Sequence, residues 1–276
     1  MKNIVCIIAR TYSKRLPNKV LKEINGTKLI EYIIKKVKRS KLVNNIYLCT
    51  SIDKEDRILL KIAKEHNIKP YAGHRIYVIN RMLEVAEKEK ADNVIRITGD
   101  NIFTDEVYID LMLKYHDENG VDYTRTEFLP LGVTAEVIRT NALKNCYNLM
   151  DPSFSQYLLL YMFQPEKFNC LVLIPENNHK HPDWSLTVDT QEDIIRSLKI
   201  INKRKYLLNY EDIVSICTTE DIPYLYFKTG TSVKFPAGLI MTYGAFKEEM
   251  KKRIKKAKTI QLAKGEYLEM VNEQKL

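Results

Sequence analysis

Glycine is scarce in this chain, 9 residues in 276. Neither a G-x-x-x-x-G-K-S/T phosphate loop nor a G-x-G-x-x-G dinucleotide fingerprint occurs, so a nucleotide site of either signature is excluded. Cysteine supplies no frame. Cys6, Cys49, Cys146, Cys170 and Cys217 are odd in number, widely spaced and without a C-x-x-C pair. That pattern excludes a disulfide scaffold and a thiolate zinc site, and fits small buried hydrophobes in a reducing compartment. The closest histidines, His179 and His181, flank Lys180 in a loop rich in proline and asparagine and do not make a ligand set. Long apolar runs are missing too. The longest, Tyr157–Phe163, falls far short of the roughly 18–20 residues a membrane span needs. At the start of the chain the apolar stretch Ile4–Ala9 ends at Arg10, too short for a signal peptide. A cytoplasmic protein is expected.

What is present is ordinary for a soluble globular protein, 45% hydrophobic and 29% charged. The length fits one α/β domain with an appended subdomain better than two full domains. Net charge is +9, and residues 201–276 hold 14 Lys/Arg against 9 Asp/Glu, with six of these cations inside Lys251–Lys258. A run like this can bind nucleic acid or an anionic surface. It lacks the interleaved aromatics of a single-strand platform. It reads as a solvated helix face, so neither nucleic acid nor a membrane is expected as a partner.

Short β-branched runs alternate with amphipathic stretches. Strands are expected at Ile4–Ala9, Ile46–Thr50, Val94–Thr98, Val133–Arg139, Cys170–Ile174 and Leu186–Asp189. Between them Leu29, Ile30, Ile33, Ile34 and Val37 recur at helical spacing, as do Ile58, Leu59, Ile62 and Ala63, then Met82, Leu83, Val85 and Ala86. Successive strand–helix units imply a parallel sheet with helices on both faces. Further helices are expected at Gln191–Arg204, near Glu211–Cys217 and after Phe246, with a strand near Tyr224–Lys228. In such sheets ligands sit beyond the carboxyl ends of the strands. Attention therefore falls on the segments after Ala9, Thr50 and Thr98.

The first of these reads Arg10-Thr11-Tyr12-Ser13-Lys14-Arg15-Leu16-Pro17-Asn18-Lys19 and holds four cations. Such a loop can clamp a triphosphate with backbone N–H groups and cationic side chains. Spacing alone suits a basic surface turn equally well. The third reads Thr98-Gly99-Asp100, where glycine permits a sharp bend and Asp100 is a hard oxygen ligand of the kind Mg²⁺ prefers. A plain turn is the competing reading. Asp189, in Leu186-Thr187-Val188-Asp189-Thr190, either supplies a second carboxylate or caps the helix that follows.

Taken together, IIAR-x-x-SKRLP-x-K at the start, TS-x-D at Thr50–Asp53, R-x-TGD at Arg96–Asp100 and LTVDT-x-ED at Leu186–Asp193 resemble the cytidylyltransferase superfamily. The likeness is to the branch of spore-coat polysaccharide biosynthesis protein F, related to the acylneuraminate and Kdo cytidylyltransferases, and spans roughly residues 1–200. The resemblance implies a three-layer α/β/α nucleotidyltransferase fold, GT-A or Rossmann-like, with a mostly parallel central sheet. It implies transfer of CMP from CTP to a small acidic acceptor, an acidic sugar or a phosphorylated or phosphonate compound, in surface polysaccharide synthesis. Carried over by position, Ala9, Arg10, Ser13, Lys14, Arg15 and Lys19 match the loop that holds the CTP phosphates and base. Thr50, Arg81, Thr98 and Asp100 also match nucleotide-side positions. Asp100 and Asp189 match two Mg²⁺ carboxylates. Arg15, Lys19 and Asp100 take the catalytic roles, and Glu136, in Pro130-Leu131-Gly132-Val133-Thr134-Ala135-Glu136, falls beside the acceptor.

The departures fall on the acceptor side. After Gly99, Asn101-Ile102-Phe103 replaces part of the family's Asp-x-Pro-Leu and the proline is missing, Ser155-Gln156 stands for a Glu-His pair, and Ser185 replaces an arginine before LTVD. Gln156 is thereby an acceptor-side candidate, and the family's common acceptor is not assumed. Residues 201–276 find no counterpart and are expected as a C-terminal extension, a lid or a homodimerisation arm. The rivals are a GT-A glycosyltransferase, whose usual Asp-x-Asp motif is absent, a nucleotidyltransferase using another nucleoside triphosphate, and a non-catalytic binding module.

Overall fold

The computed structural model describes residues 1–227, 232–234 and 240–275. Strand β1 (Asn3–Ile8) is apolar on both sides, with Ile4, Val5, Cys6 and Ile7 fully buried. A strand sealed on both faces belongs inside a parallel sheet, and β1 lies there. After a small hairpin, β2 (Glu23–Ile24) and β3 (Thr27–Lys28), the chain winds outward. It passes through α1 (Leu29–Val37), β4 (Asn45–Ser51), α2 (Arg57–Glu65) and β5 (Lys69–Gly73). It returns by α3 (Val78–Glu89) to β6 (Asn93–Thr98), which pairs with the opposite side of β1. This reversal creates a topological switch point between β1 and β6, where open α/β sheets hold ligands.

Next come α4 (Glu106–Asn119), β7 (Tyr123–Thr126), β8 (Glu136–Arg139), α5 (Thr140–Leu149), α6 (Leu159–Met162) and β9 (Cys170–Ile174). The remainder is α7 (Gln191–Ile201), α8 (Tyr210–Thr219), β10 (Ser232–Lys234), β11 (Ile240–Thr242), α9 (Tyr243–Ile254), β12 (Lys258–Gln261) and α10 (Glu266–Lys275). The main sheet runs β12-β9-β7-β8-β6-β1-β4-β5, with β8 antiparallel to both neighbours and every other pair parallel. Strands β10 and β11 pair with each other. Residues of α1, α2, α4, α7, α8 and α10 join one apolar core, and those of α3, α5, α6 and α9 join the core on the other face. The three-layer α/β/α architecture is as expected. No helix among the described residues is long and apolar enough to cross a membrane.

Residues beyond 201 share this sheet and core. Strand β12 extends the sheet beside β9. Asp105, fully buried before α4, accepts from the Tyr210 backbone N–H at 2.9 Å and from the Tyr267 hydroxyl at 3.1 Å. Glu176, just past β9, accepts from the N–H groups of Gly265 and Tyr267 at 2.8 and 3.1 Å. Lys36 pairs with Glu106, both buried, and donates to the Leu208 carbonyl at 2.7 Å. Buried charges are tolerable only when so matched.

Several boundaries differ from the sequence expectation. The stretch Leu186–Asp189 is extended but is not a strand. Leu131 bridges Ser185, just before this stretch, and the Leu131 segment then turns away at Gly132, φ +103°. A Cβ at Gly132 would lie 2.4 Å from the Thr187 nitrogen, so only glycine permits this crossing. Strand β8 starts at Glu136 rather than Val133, because the Val133 carbonyl instead accepts from Asp105 N–H at 3.0 Å. The helix expected to Arg204 ends at Ile201, and the one after Phe246 begins at Tyr243, capped by Thr242. The strand near Tyr224–Lys228 reduces to one bridge between Trp184 and Tyr226, and Lys228 lies outside the described residues.

At the amino ends of the strands, Glu89 gathers Lys2 at 2.8 Å, Lys69 at 2.6 Å, Asn45 at 3.1 Å and the Tyr47 hydroxyl. Hydrogen bonds from Lys2, then Lys69 and Tyr47, pull its pKa from 4.5 to about 2. A depressed carboxylate stabilises the fold above its unfolded pKa and loses that contribution as pH falls toward the folded value. Glu89→Gln is therefore expected to lower stability by about 1–2 kcal/mol at pH 7. In urea denaturation the gap from the parent should narrow as pH falls from about 5 to 2.

Candidate active site

The loop after β1 is fixed by a residue the motif reading passed over. Asp56, 3% exposed, accepts from Thr11 through both N–H and hydroxyl at 2.7 Å and from the Ser51 hydroxyl at 2.5 Å. Burial alone would raise its pKa, but these hydrogen bonds outweigh burial and hold it below the usual carboxylate value. Further along, Leu16 and Val20 plug into the core while Asn18 takes a left-handed conformation, φ 54°. Ser13 accepts from the Leu16 N–H at 3.4 Å. Between these anchors Arg10, Tyr12, Lys14 and Arg15 stay exposed, and Lys19 is directed inward.

Gly99 lets β6 close on this loop. A Cβ there would fall 2.8 Å from the Ala9 Cβ and 3.2 Å from Val20, and the Gly99 N–H donates to the Ile8 carbonyl at 2.9 Å. The next residue, Asp100, emerges over the switch point. Its Oδ1 accepts from the Thr98 hydroxyl at 2.6 Å, and its carbonyl accepts from Val188 N–H at 2.9 Å. The second contact carries the 186–189 segment to β6 and delivers Asp189.

Asp189 is not the helix cap. Thr190 caps α7 in a reciprocal box with Asp193, which also accepts from the Asp189 N–H at 2.8 Å. Buried Arg196 braces Asp193 at 2.6 Å. The Asp189 carboxylate is thus presented to the crevice. Lys19 Nζ lies 3.0 Å from Asp100 Oδ2 and 2.8 Å from Asp189 Oδ1, and Arg15 reaches the same Asp189 oxygen at 2.8 Å. Burial works against both charges, yet the pairing wins. Asp100 and Asp189 raise the Lys19 pKa, while Lys19 and the Thr98 hydrogen bond lower that of Asp100.

Arg81 lies deeper, 3% exposed, with Nη1 donating to the Cys49 carbonyl at 3.3 Å and Nε without a partner. Burial, opposed mainly by the nearby Cys49, lowers its pKa. Among the described residues no carboxylate pairs with it within 4.0 Å. Gly73 makes room for its stem, since a Cβ there would meet Arg81 Cγ at 2.7 Å. Thr50, fully buried, is the penultimate residue of β4. Arg75, also missed in the sequence, stands 5.6 Å over the Tyr12 ring, which Arg10 approaches at 5.7 Å, and pairs with Asp53 at 3.3 Å.

Glu136 sits opposite Arg96 on paired strands, ion-paired to it, and accepts from the Tyr123 hydroxyl at 2.6 Å. Arg96 also donates to the Gln156 carbonyl at 3.1 Å. Gln156 joins this group through its backbone, and its side chain is exposed. His179 is buried between Tyr108 and Glu211, at 2.6 and 2.5 Å, and His181 stacks on Trp184.

The cytidylyltransferase family model matches residues 4–274. The chain belongs to the cytidylyltransferase family. It is therefore a nucleotidyltransferase, and the matched span takes in β12 and most of α10 along with the switch-point crevice. Spore coat polysaccharide biosynthesis protein SpsF of Bacillus subtilis is 30% identical over 201 residues, covering 70% of this chain and 84% of that protein. A cytidylyltransferase structure from Leptospira borgpetersenii superposes with a TM-score of 0.73 at 23% identity, over 79% of this chain and 94% of the other. CMP:2-keto-3-deoxy-manno-octonic acid synthetase, solved with CTP, gives a TM-score of 0.59 at 16% identity, over 74% of this chain and 99% of the other. At those identities the two structures speak to the fold.

Proposed function

We propose that this cytidylyltransferase moves CMP from CTP onto a small acidic acceptor, an acidic sugar or a phosphorylated or phosphonate compound, and releases pyrophosphate in surface polysaccharide synthesis. The observation that carries the reading is the meeting of Asp100 and Asp189 with Lys19 and Arg15 at the sheet's switch point. Buried Arg81, which pairs with no carboxylate among the described residues, adds an anion-seeking charge close to Arg10 and Asp56 of the first loop and its anchor. The Bacillus relative named for spore-coat polysaccharide supports the pathway, and the altered acceptor-side residues leave the acceptor class broad.

Asp100 and Asp189 fit Mg²⁺, because they offer hard oxygen donors and already hold a cationic ammonium between them. Bound there, Mg²⁺ would polarise phosphate oxygens and lower the pKa of the attacking acceptor oxygen. The chain's own residues do the rest. The Asp56-anchored loop presents backbone N–H groups and Arg10, Ser13 and Lys14 to the triphosphate. Lys19 and Arg15 offset charge on the departing pyrophosphate after in-line attack at the α-phosphorus. Glu136 and the Arg96–Gln156 contact form the wall beside the acceptor. No covalent enzyme intermediate is needed.

The test is pyrophosphate release with Mg²⁺ and each of CTP, GTP, UTP and ATP against acidic sugars, phosphorylated acids and phosphonates. Release with CTP and one acceptor class is the expected result. Release only with another nucleotide would overturn the base assignment, and absence of nucleotide binding would overturn the whole reading.

A further inference from the structure

The carboxylates and the cations of the crevice neutralise each other. Lys19 Nζ touches both Asp100 and Asp189, and its side chain is only 12% exposed. Arg15 holds the same Asp189 oxygen from the solvent side, where it is 66% exposed. The two carboxylate oxygens can lie no further apart than the sum of their distances to Nζ, so the ammonium fills the space between them. A dication and an ammonium do not share one such space, because their repulsion acts across a few ångströms in a partly buried site.

The Lys19 backbone is held in place. Its N–H donates to Leu16, its carbonyl accepts from Lys22, and Val20 is buried beside it. Only the side chain can leave, and leaving strands an ammonium unless another anion receives it. Resting on the CTP reading above, we infer that Lys19, assisted by Arg15, keeps the Asp100–Asp189 pair closed to divalent cations until a triphosphate draws the two side chains onto its own oxygens. Nucleotide and metal then bind as coupled ligands. The coupling is reciprocal, since each ligand removes the cost the other would face.

The experiment measures Mn²⁺ bound by the full chain from the EPR signal of the free ion, without nucleotide, alongside metal-free CTP binding by calorimetry in EDTA. Lys19→Met is expected to bind Mn²⁺ at least about tenfold more tightly than the parent, within the usual range of allosteric couplings. Lys19→Arg keeps a cation and should stay closed. Lys14→Met removes an exposed neighbouring charge and should change Mn²⁺ affinity by less than about twofold, the scale of a screened surface charge. Equal Mn²⁺ affinity in the parent and Lys19→Met, or an equal gain in Lys14→Met, would overturn the inference while leaving the CTP reading intact. Failure of the parent to bind CTP in EDTA and in Mn²⁺ alike would overturn the CTP reading, and the inference with it. Circular dichroism spectra matching the parent confirm that each variant is folded.

Discussion

Asp100→Asn should reduce turnover by more than about 100-fold while the protein stays folded. Asparagine keeps the shape and still accepts the Thr98 hydroxyl through its carbonyl oxygen, so the β6 bend is preserved. What disappears is one of the two negative charges at the switch point. A hard cation bound there would lose a carboxylate ligand, and Lys19 loses the partner at 3.0 Å that helps place its ammonium. The deficit should fall on kcat more than on KM for CTP, because the charge matters most as pyrophosphate departs. Asp189→Asn should behave alike, with an added loss of order at Arg15, its partner at 2.8 Å. Pyrophosphate release under saturating CTP, with a melting curve on the same sample, measures both effects. Near-parental turnover in Asp100→Asn would remove this residue from the catalytic group.

Asp56→Ala is the second large effect. The substitution deletes a buried carboxylate that receives three hydrogen bonds, two from Thr11 and one from Ser51. Leaving buried donors without acceptors costs about 1–3 kcal/mol per group. A stability loss of about 2–4 kcal/mol is expected in urea. The first loop would also lose its anchor at Thr11, so KM for CTP should rise by about tenfold with a smaller change in kcat. Asp56→Asn retains one accepting oxygen and should recover part of both. If stability falls while KM for CTP stays at the parental value, Asp56 supports the fold without positioning the nucleotide loop.

The central strands are legible in the sequence because a parallel strand buried on both faces is a nearly unbroken apolar run. β1, β4, β6 and β9 are of that kind. Strand β5 opens with Lys69-Pro70 and β12 reads Lys-Thr-Ile-Gln. Their pairing is dictated by an exposed neighbouring edge, so their own residues barely announce it. The site divides likewise. Arg15, Lys19, Asp100 and Asp189 stand out only once the separate motifs are combined into the family resemblance, and the contacts joining them span 81 and 170 positions. Asp56 stays hidden because its meaning lies in Thr11, 45 positions away. A carboxylate just before a helix looks like an ordinary cap, and the capping geometry is absent here. Asp189 is ambiguous until Thr190 and Asp193 are seen to cap α7 without it.

The bond from Tyr267 to Asp105 bridges 162 positions, and those from Gly265 and Tyr267 to Glu176 bridge 89 and 91. Long loops must close before such contacts contribute, which slows folding relative to locally connected proteins. During synthesis, a nascent chain that has emerged only to residue 200 holds Lys36, Asp105 and Glu106 without the Leu208 carbonyl or the Tyr210 and Tyr267 donors that complete their cluster. Its outer strand β9 also waits for β12 along one edge. The amino-terminal two-thirds therefore remain a partly satisfied intermediate, with an open strand edge exposed to chaperones and to other chains. Strand β12 and helix α10 act as the clasp that commits the main sheet to its final form.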